Sequence, residues 1–176
     1  MVVPFSMLLN LASASSAEDK QTMWGFIRKY ASDATPETHP GMDAAAGFAV
    51  RYFNDFVKPA KVYRAPTDGE RVALQDLAKA LSSPEAALEA IANKNKAMGR
   101  DDPLPEPDFS DEEFLQSVVF AIGKLHGFEP LRDWFTAIYE VLLGASQGPR
   151  FGGFIALYGV DETIALIDEA LAGKFA

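Results

Sequence analysis

Apolar residues recur at helical spacing along almost the whole chain. Near the start, Phe5, Leu8, Leu9 and Ala12 share one face, widened by Met7 and Leu11, which predicts a core-facing helix. The same stretch, VVPFSMLLNLASASSA, has the outline of an export signal, an apolar run before Ala12-Ser13-Ala14. No Lys or Arg precedes that run, and Pro4, Ser6 and Asn10 interrupt it, so a helix is the better reading. AEDKQTMWGFIRKY follows, with acids in its opening turn and Arg28 and Lys29 in its last, as a helix dipole prefers. Met23, Ile27 and Tyr30 form its inward stripe with Trp24 beside them, and ASDATPETHPG then reads as a loop.

MDAAAGFAVRYFNDFV places Phe48, Tyr52, Phe53, Phe56 and Val57 on one side, which predicts an aromatic-rich core helix. Pro59 and Pro66 bracket a short extended segment, AKVYRA. Thr67 and Glu70 have capping-box spacing before a helix with Leu74, Leu77 and Leu81 inward. Ser83 and Pro84 start another that runs through Leu88 and Ile91 to Met98, where Gly99 stops it. Residues 101–109 are proline-rich and read as a linker between an N-terminal helical subdomain, 1–100, and a C-terminal one, 110–176. Ser110 and Glu113 suggest a second capping box, leading to Phe114, Val118, Ile122 and Leu125 before Gly127. PLRDWFTAIYEVLLG repeats the pattern with Leu131, Trp134, Phe135, Ile138 and Leu142. GASQGPR is a turn before FGGFIALYG, and a last helix from Asp161 is expected to bury Ile164, Ile167 and Leu171. About eight helices and no convincing strand predict an all-α fold, an irregular helical bundle.

Composition narrows the chemistry. The 176 residues, 48% hydrophobic, suffice for a real core. The absence of cysteine removes thiolate chemistry and disulfides and suits the reducing cytoplasm. Two distant histidines are too few soft ligands for zinc, so no metal site is expected. No stretch approaches the roughly 20 apolar residues of a membrane span, and no membrane partner is expected. A net charge of -9 opposes nonspecific nucleic-acid binding, so any RNA surface must be local.

No catalytic constellation emerges. His39 lies in a loop and His126 at a helix end, where a cation is favoured; the acid clusters sit at helix starts for the same electrostatic reason. Two stretches remain. GASQGPRFGGF holds four glycines and Arg150: it is either a tight turn whose glycines permit close packing, or a helix start whose amides and Arg150 hold a phosphate. It lacks the order of a P-loop. RYFNDFVKPAKVYRAP gathers Arg51, Lys58, Lys61 and Arg64 around Tyr63, either ordinary solvated surface or the pairing of cations and ring with which single-stranded RNA is held.

Three blocks, PFSMLLNLASASSAEDKQTMWGFIRKYA, AVRYFNDFVKPAKVYRAP and DWFTAIYEVLLGASQGPRFGGFIALYG, resemble in order the C-terminal half of class I lysyl-tRNA synthetases. The resemblance implies a helical module that follows a Rossmann-type catalytic domain, packs near the acceptor stem and reaches the anticodon of lysine tRNA. The family's H-x-G-H and K-M-S-K-S ATP signatures are absent, so this chain is not expected to activate lysine. It would need no cofactor itself, ATP and Mg belonging to the parent enzyme. Its expected partners are lysine tRNA and the N-terminal catalytic domain missing from this chain. On this reading Met1 is an artificial start, and the opening stretch is the helix at the junction with that domain. Local chemistry, rather than the family, nominates Lys58, Lys61, Arg64 and Arg150 for phosphates and Tyr63 and Phe151 for stacking on bases. A reading from another class is an acidic helical adaptor that binds a partner helix in an aromatic groove lined by Phe53, Phe56 and Trp134.

Overall fold

Helices form where the apolar spacing predicts them. A computed structural model describes residues 3–176, leaving Met1, the expected artificial start, outside the described residues. Among these the fold is all-α, with nine α-helices and no strand. They are α1 (Phe5–Ser15), α2 (Lys20–Tyr30), α3 (Pro40–Tyr52), α4 (Asp68–Ala80), α5 (Pro84–Ala97), α6 (Glu112–Leu125), α7 (Arg132–Ile138), α8 (Phe151–Tyr158) and α9 (Val160–Leu171). Two of them run on into single wide π-type turns, α3 over Phe53–Val57 and α7 over Tyr139–Leu143. The chain forms two compact units, Met1–Val62 and Tyr63–Ala176. The proline-rich residues 101–109 have no helix and lie within the second.

In the first unit α1 and α2 pack on α3. Leu8, Leu11, Ala12, Met23, Trp24, Ile27, Ala46, Ala49, Val50 and Phe53 are buried. Asp19 caps α2 by accepting from the Thr22 amide. Asp43 ties α2 to α3, accepting from Trp24 Nε1 at 2.9 Å and from Lys20 Nζ at 2.8 Å. These hydrogen bonds, Lys20 first, hold the Asp43 carboxyl below the usual aspartate range.

The expected aromatic core of α3 is largely outside. Phe53 alone of its rings is buried, whereas Phe48 is 52% and Phe56 66% exposed, with Tyr52 and Phe5 also on the surface. The face of α3 that meets α1 and α2 is made instead of small residues, Ala46, Ala49 and Val50, which permit close approach of the backbones. The large rings are left on a more exposed flank, where Phe5 of α1 lies against Phe48.

In the second unit α6 packs against α5 and α8, and α4 against α5 and α9. Thr67 and Glu70 form the expected capping box, and Ser83 caps α5. At α6 the expected Ser110–Glu113 box is absent. Asp111 is the cap and accepts from the Glu113 amide, while Ser110 turns back to Asp108. Aspartate one residue on has the better geometry for the first free amides. The inward stripe of α9 is Thr163, Leu166, Ile167 and Ala170; Ile164 and Leu171 are only partly covered. Trp134 is fully buried and donates to the Val119 carbonyl at 2.9 Å. A Cβ on Gly123 would lie 2.5 Å from its ring.

Candidate nucleic-acid interface

Charge is distributed unequally between the units. Met1–Val62 contains six lysines and arginines and six acids, so the entire net -9 resides in Tyr63–Ala176, which has ten cations against nineteen acids. A polyanion is therefore repelled least by the first unit.

The basic strip is divided at this boundary. Lys58 and Lys61 fall in the first unit, Tyr63 and Arg64 in the second. Lys58 opens a short 3-10 turn that follows the wide turn of α3 and is exposed. Lys61 is half-buried, its ammonium on Ser13 Oγ and 5.2 Å from the Phe53 ring centroid. Burial, with Lys58 nearby, lowers its pKa to about 8. It remains cationic at neutral pH, with its charge turned toward the protein.

Arg64 is a structural clamp. Its guanidinium donates to Glu70 from two nitrogens, at 2.7 and 3.0 Å, and its Nε to Glu140 at 2.7 Å. The hydrogen bonds to Glu70, ahead of those to Glu140, keep Arg64 ionised well above its ordinary range, and Glu70 is correspondingly held below its own. Because Glu70 also accepts from the Thr67 amide, the clamp and the α4 capping box share one carboxylate. Tyr63 stacks on Phe175 with centroids 5.0 Å apart.

The glycine-rich stretch resolves largely as packing. A Cβ on Gly152 would lie 2.5 Å from the Gln116 amide nitrogen and 2.7 Å from the Glu112 carbonyl, so α8 meets the α6 backbone there. The Gly152 amide, one of the groups proposed for phosphate, donates instead to Gln116 Oε1 at 2.7 Å. Arg150 pairs with Glu113 at 2.8 Å. That hydrogen bond, with the fields of Glu113 and Glu112, raises its pKa; the pair is exposed and correspondingly weak. Phe151 is fully buried, edge-on to Tyr139 and stacked on Phe154, so its ring presents no face to a base. Phe53 and Trp134 are buried as well, so they line no open groove for a partner helix.

Of the most prominent exposed aromatic feature, only Phe56 was among the sequence's candidates, as a lining residue of the adaptor groove. Phe5, Phe48, Tyr52 and Phe56 form a continuous exposed ladder, with centroids 5.6 Å apart for Phe5–Phe48, 6.0 Å for Phe48–Tyr52 and 5.3 Å for Tyr52–Phe56. The 48, 52, 56 spacing was visible; that it faces solvent was not. Among the described residues no group of three or more His, Asp or Glu side chains is placed to hold a metal, and no helix is long and apolar enough to cross a membrane.

Comparison with known proteins gives a consistent set of relatives. The lysine–tRNA ligase of Roseobacter denitrificans is 62% identical over 174 residues, 99% of this chain and 29% of that protein. The lysine–tRNA ligases of Rickettsia felis and Rickettsia conorii are each 41% identical over 169 residues, 96% of this chain and 28% of theirs. The chain thus spans under a third of the length of these curated relatives. No family model matches it, and no solved structure does.

Proposed function

We propose that this chain is the helical tRNA-binding portion of a lysine–tRNA ligase of class I, which selects lysine tRNA through its anticodon and orients the acceptor end toward a catalytic domain elsewhere in the full protein. The observation that carries this reading is the identity of 62% over 99% of the chain to a lysine–tRNA ligase. The absence of ATP-binding signatures in the sequence supports a positioning role, with ATP and Mg acting in the catalytic domain and aminoacylation in the cytoplasm. Positioning is chemically sufficient: holding the acceptor end in reacting geometry accelerates transfer through orientation alone.

Among the sequence's candidates Lys58 is the best phosphate ligand, since it is exposed and bears no ion pair to a described residue. Arg64 and Arg150 already hold carboxylates, and Lys61 faces Ser13. Fluorescence anisotropy of a labelled lysine-tRNA anticodon stem-loop, beside one with a changed anticodon, tests the proposal. The expected result is preferential binding of the lysine loop that weakens as salt rises, with Lys58→Glu lowering both the affinity and its salt dependence. Equal affinity for both loops would overturn anticodon reading.

A further inference from the structure

From the placement of its aromatic and cationic side chains, we infer that the Phe5–Phe48–Tyr52–Phe56 ladder is a stacking platform for unpaired bases of single-stranded RNA, with Arg51 and Lys58 holding the adjoining phosphates. This rests on the tRNA-binding reading above and names the surface that performs it.

Four observations converge. The rings are exposed, contiguous and in one compact unit. Successive centroid separations of 5.3–6.0 Å along Phe48, Tyr52 and Phe56 form a row of π-faces and edges, which is the sequence-tolerant element of single-strand recognition.

The charge around them has the right sign. Between Phe48 and Val62 the chain carries Arg51, Lys58 and Lys61 against the single acid Asp55, within the unit that bears no net charge. Arg51 lies one residue before Tyr52, Lys58 two after Phe56, and both are exposed. Neither is paired to a carboxylate among the described residues, unlike Arg64 and Arg150. Aromatic rings also centre protein interfaces; what favours an anionic partner here is the pair of exposed cations beside the rings, in a unit with no net negative charge.

The platform is also held rigid. Within the wide turn that ends α3, Asn54 Nδ2 donates to the Val50 carbonyl at 2.8 Å and to the Ala17 carbonyl at 3.1 Å. Phe53 is buried beneath it. Phe56 is thereby fixed relative to Tyr52 before any ligand arrives, which reduces the ordering cost of binding. Wide turns of this type recur at functional sites.

The test uses this chain and two labelled probes, the lysine-tRNA anticodon stem-loop and a fully paired RNA duplex of the same length. Phe48→Ala with Phe56→Ala, both at exposed positions, should leave the far-UV circular dichroism unchanged. They should weaken stem-loop binding about tenfold or more with its salt dependence intact. Phe56→Trp, which keeps a ring, should retain affinity, and Arg51→Gln should lower the salt slope by about one. Duplex affinity should not respond to the aromatic changes. If the parent chain binds neither probe, the tRNA-binding reading fails and the platform with it. If it binds the stem-loop and the double variant binds equally well, the platform alone is overturned. Loss of concentration-dependent self-association in that variant, read by sedimentation velocity, would then assign the face to a second copy of the chain.

Discussion

Arg64 shows how a residue's neighbours decide its role. In sequence it is one cation among four; in the fold its three guanidinium nitrogens are engaged by Glu70 and Glu140. Removing it with Arg64→Ala leaves the mostly buried Glu70 without its principal partner, and should cost about 1–2 kcal/mol at pH 7, since solvent reaches part of the guanidinium and screens the pair. The pH dependence has a definite sign. Glu70 is depressed below its ordinary value of 4.5, so its contribution is present above that pH and is lost as pH falls through the lower folded value. Thermal unfolding should therefore show a wide gap between parent and variant at pH 7 that narrows below about pH 4. A gap of the same size at pH 3 would show that Arg64 acts through packing instead. Tertiary engagement removes Phe151 from the stacking candidates in the same way, because its ring completes a buried aromatic cluster with Tyr139 and Phe154.

At the scale of elements, helix starts and stops follow local chemistry closely. Thr67, Ser83 and Asp111 accept from free amides one or two residues into their helices, and Gly127 and Gly144 adopt the left-handed conformation just past theirs. What separates neighbouring helices is less local. The α6–α8 contact depends on Gly152, where an added Cβ would meet the α6 backbone itself rather than a movable side chain. Gly152→Ala should thus destabilise the second unit by about 1–3 kcal/mol, despite alanine's better helix propensity. Gly25→Ala in α2, where nothing lies within 4 Å of the added Cβ, should be neutral or slightly stabilising. Chemical denaturation of the two variants side by side checks the contrast, and comparable effects would show that helix propensity outweighs the close approach.

For the whole molecule, the division of charge is the property with most consequence. Because the first unit carries no net charge and the second is acidic, the RNA contact proposed above is expected on the former. Hydrogen exchange with bound anticodon stem-loop is expected to slow chiefly within Met1–Val62, above all around Phe48–Val57. Slowing concentrated in Tyr63–Ala176 would contradict that assignment. The sequence by itself determined the all-α class, the place of most helices and the capping at Thr67 and Ser83, because period, caps and stops act within a few residues of one another. It determined the net charge and, through three ordered blocks, the likeness to lysyl-tRNA synthetases that relatives named lysine–tRNA ligase then matched across almost the whole chain. Only the tertiary structure decided which faces meet. An aromatic stripe at positions 48, 52 and 56 has the same period whether it points to the core or to solvent. Here it points outward because α1 and α2 pack on the small residues of α3 instead. Likewise the strip from Lys58 to Arg64 is continuous in sequence, yet its members differ in the fold, since a cation's availability depends on which carboxylates and hydroxyls the chain brings to it from tens of residues away.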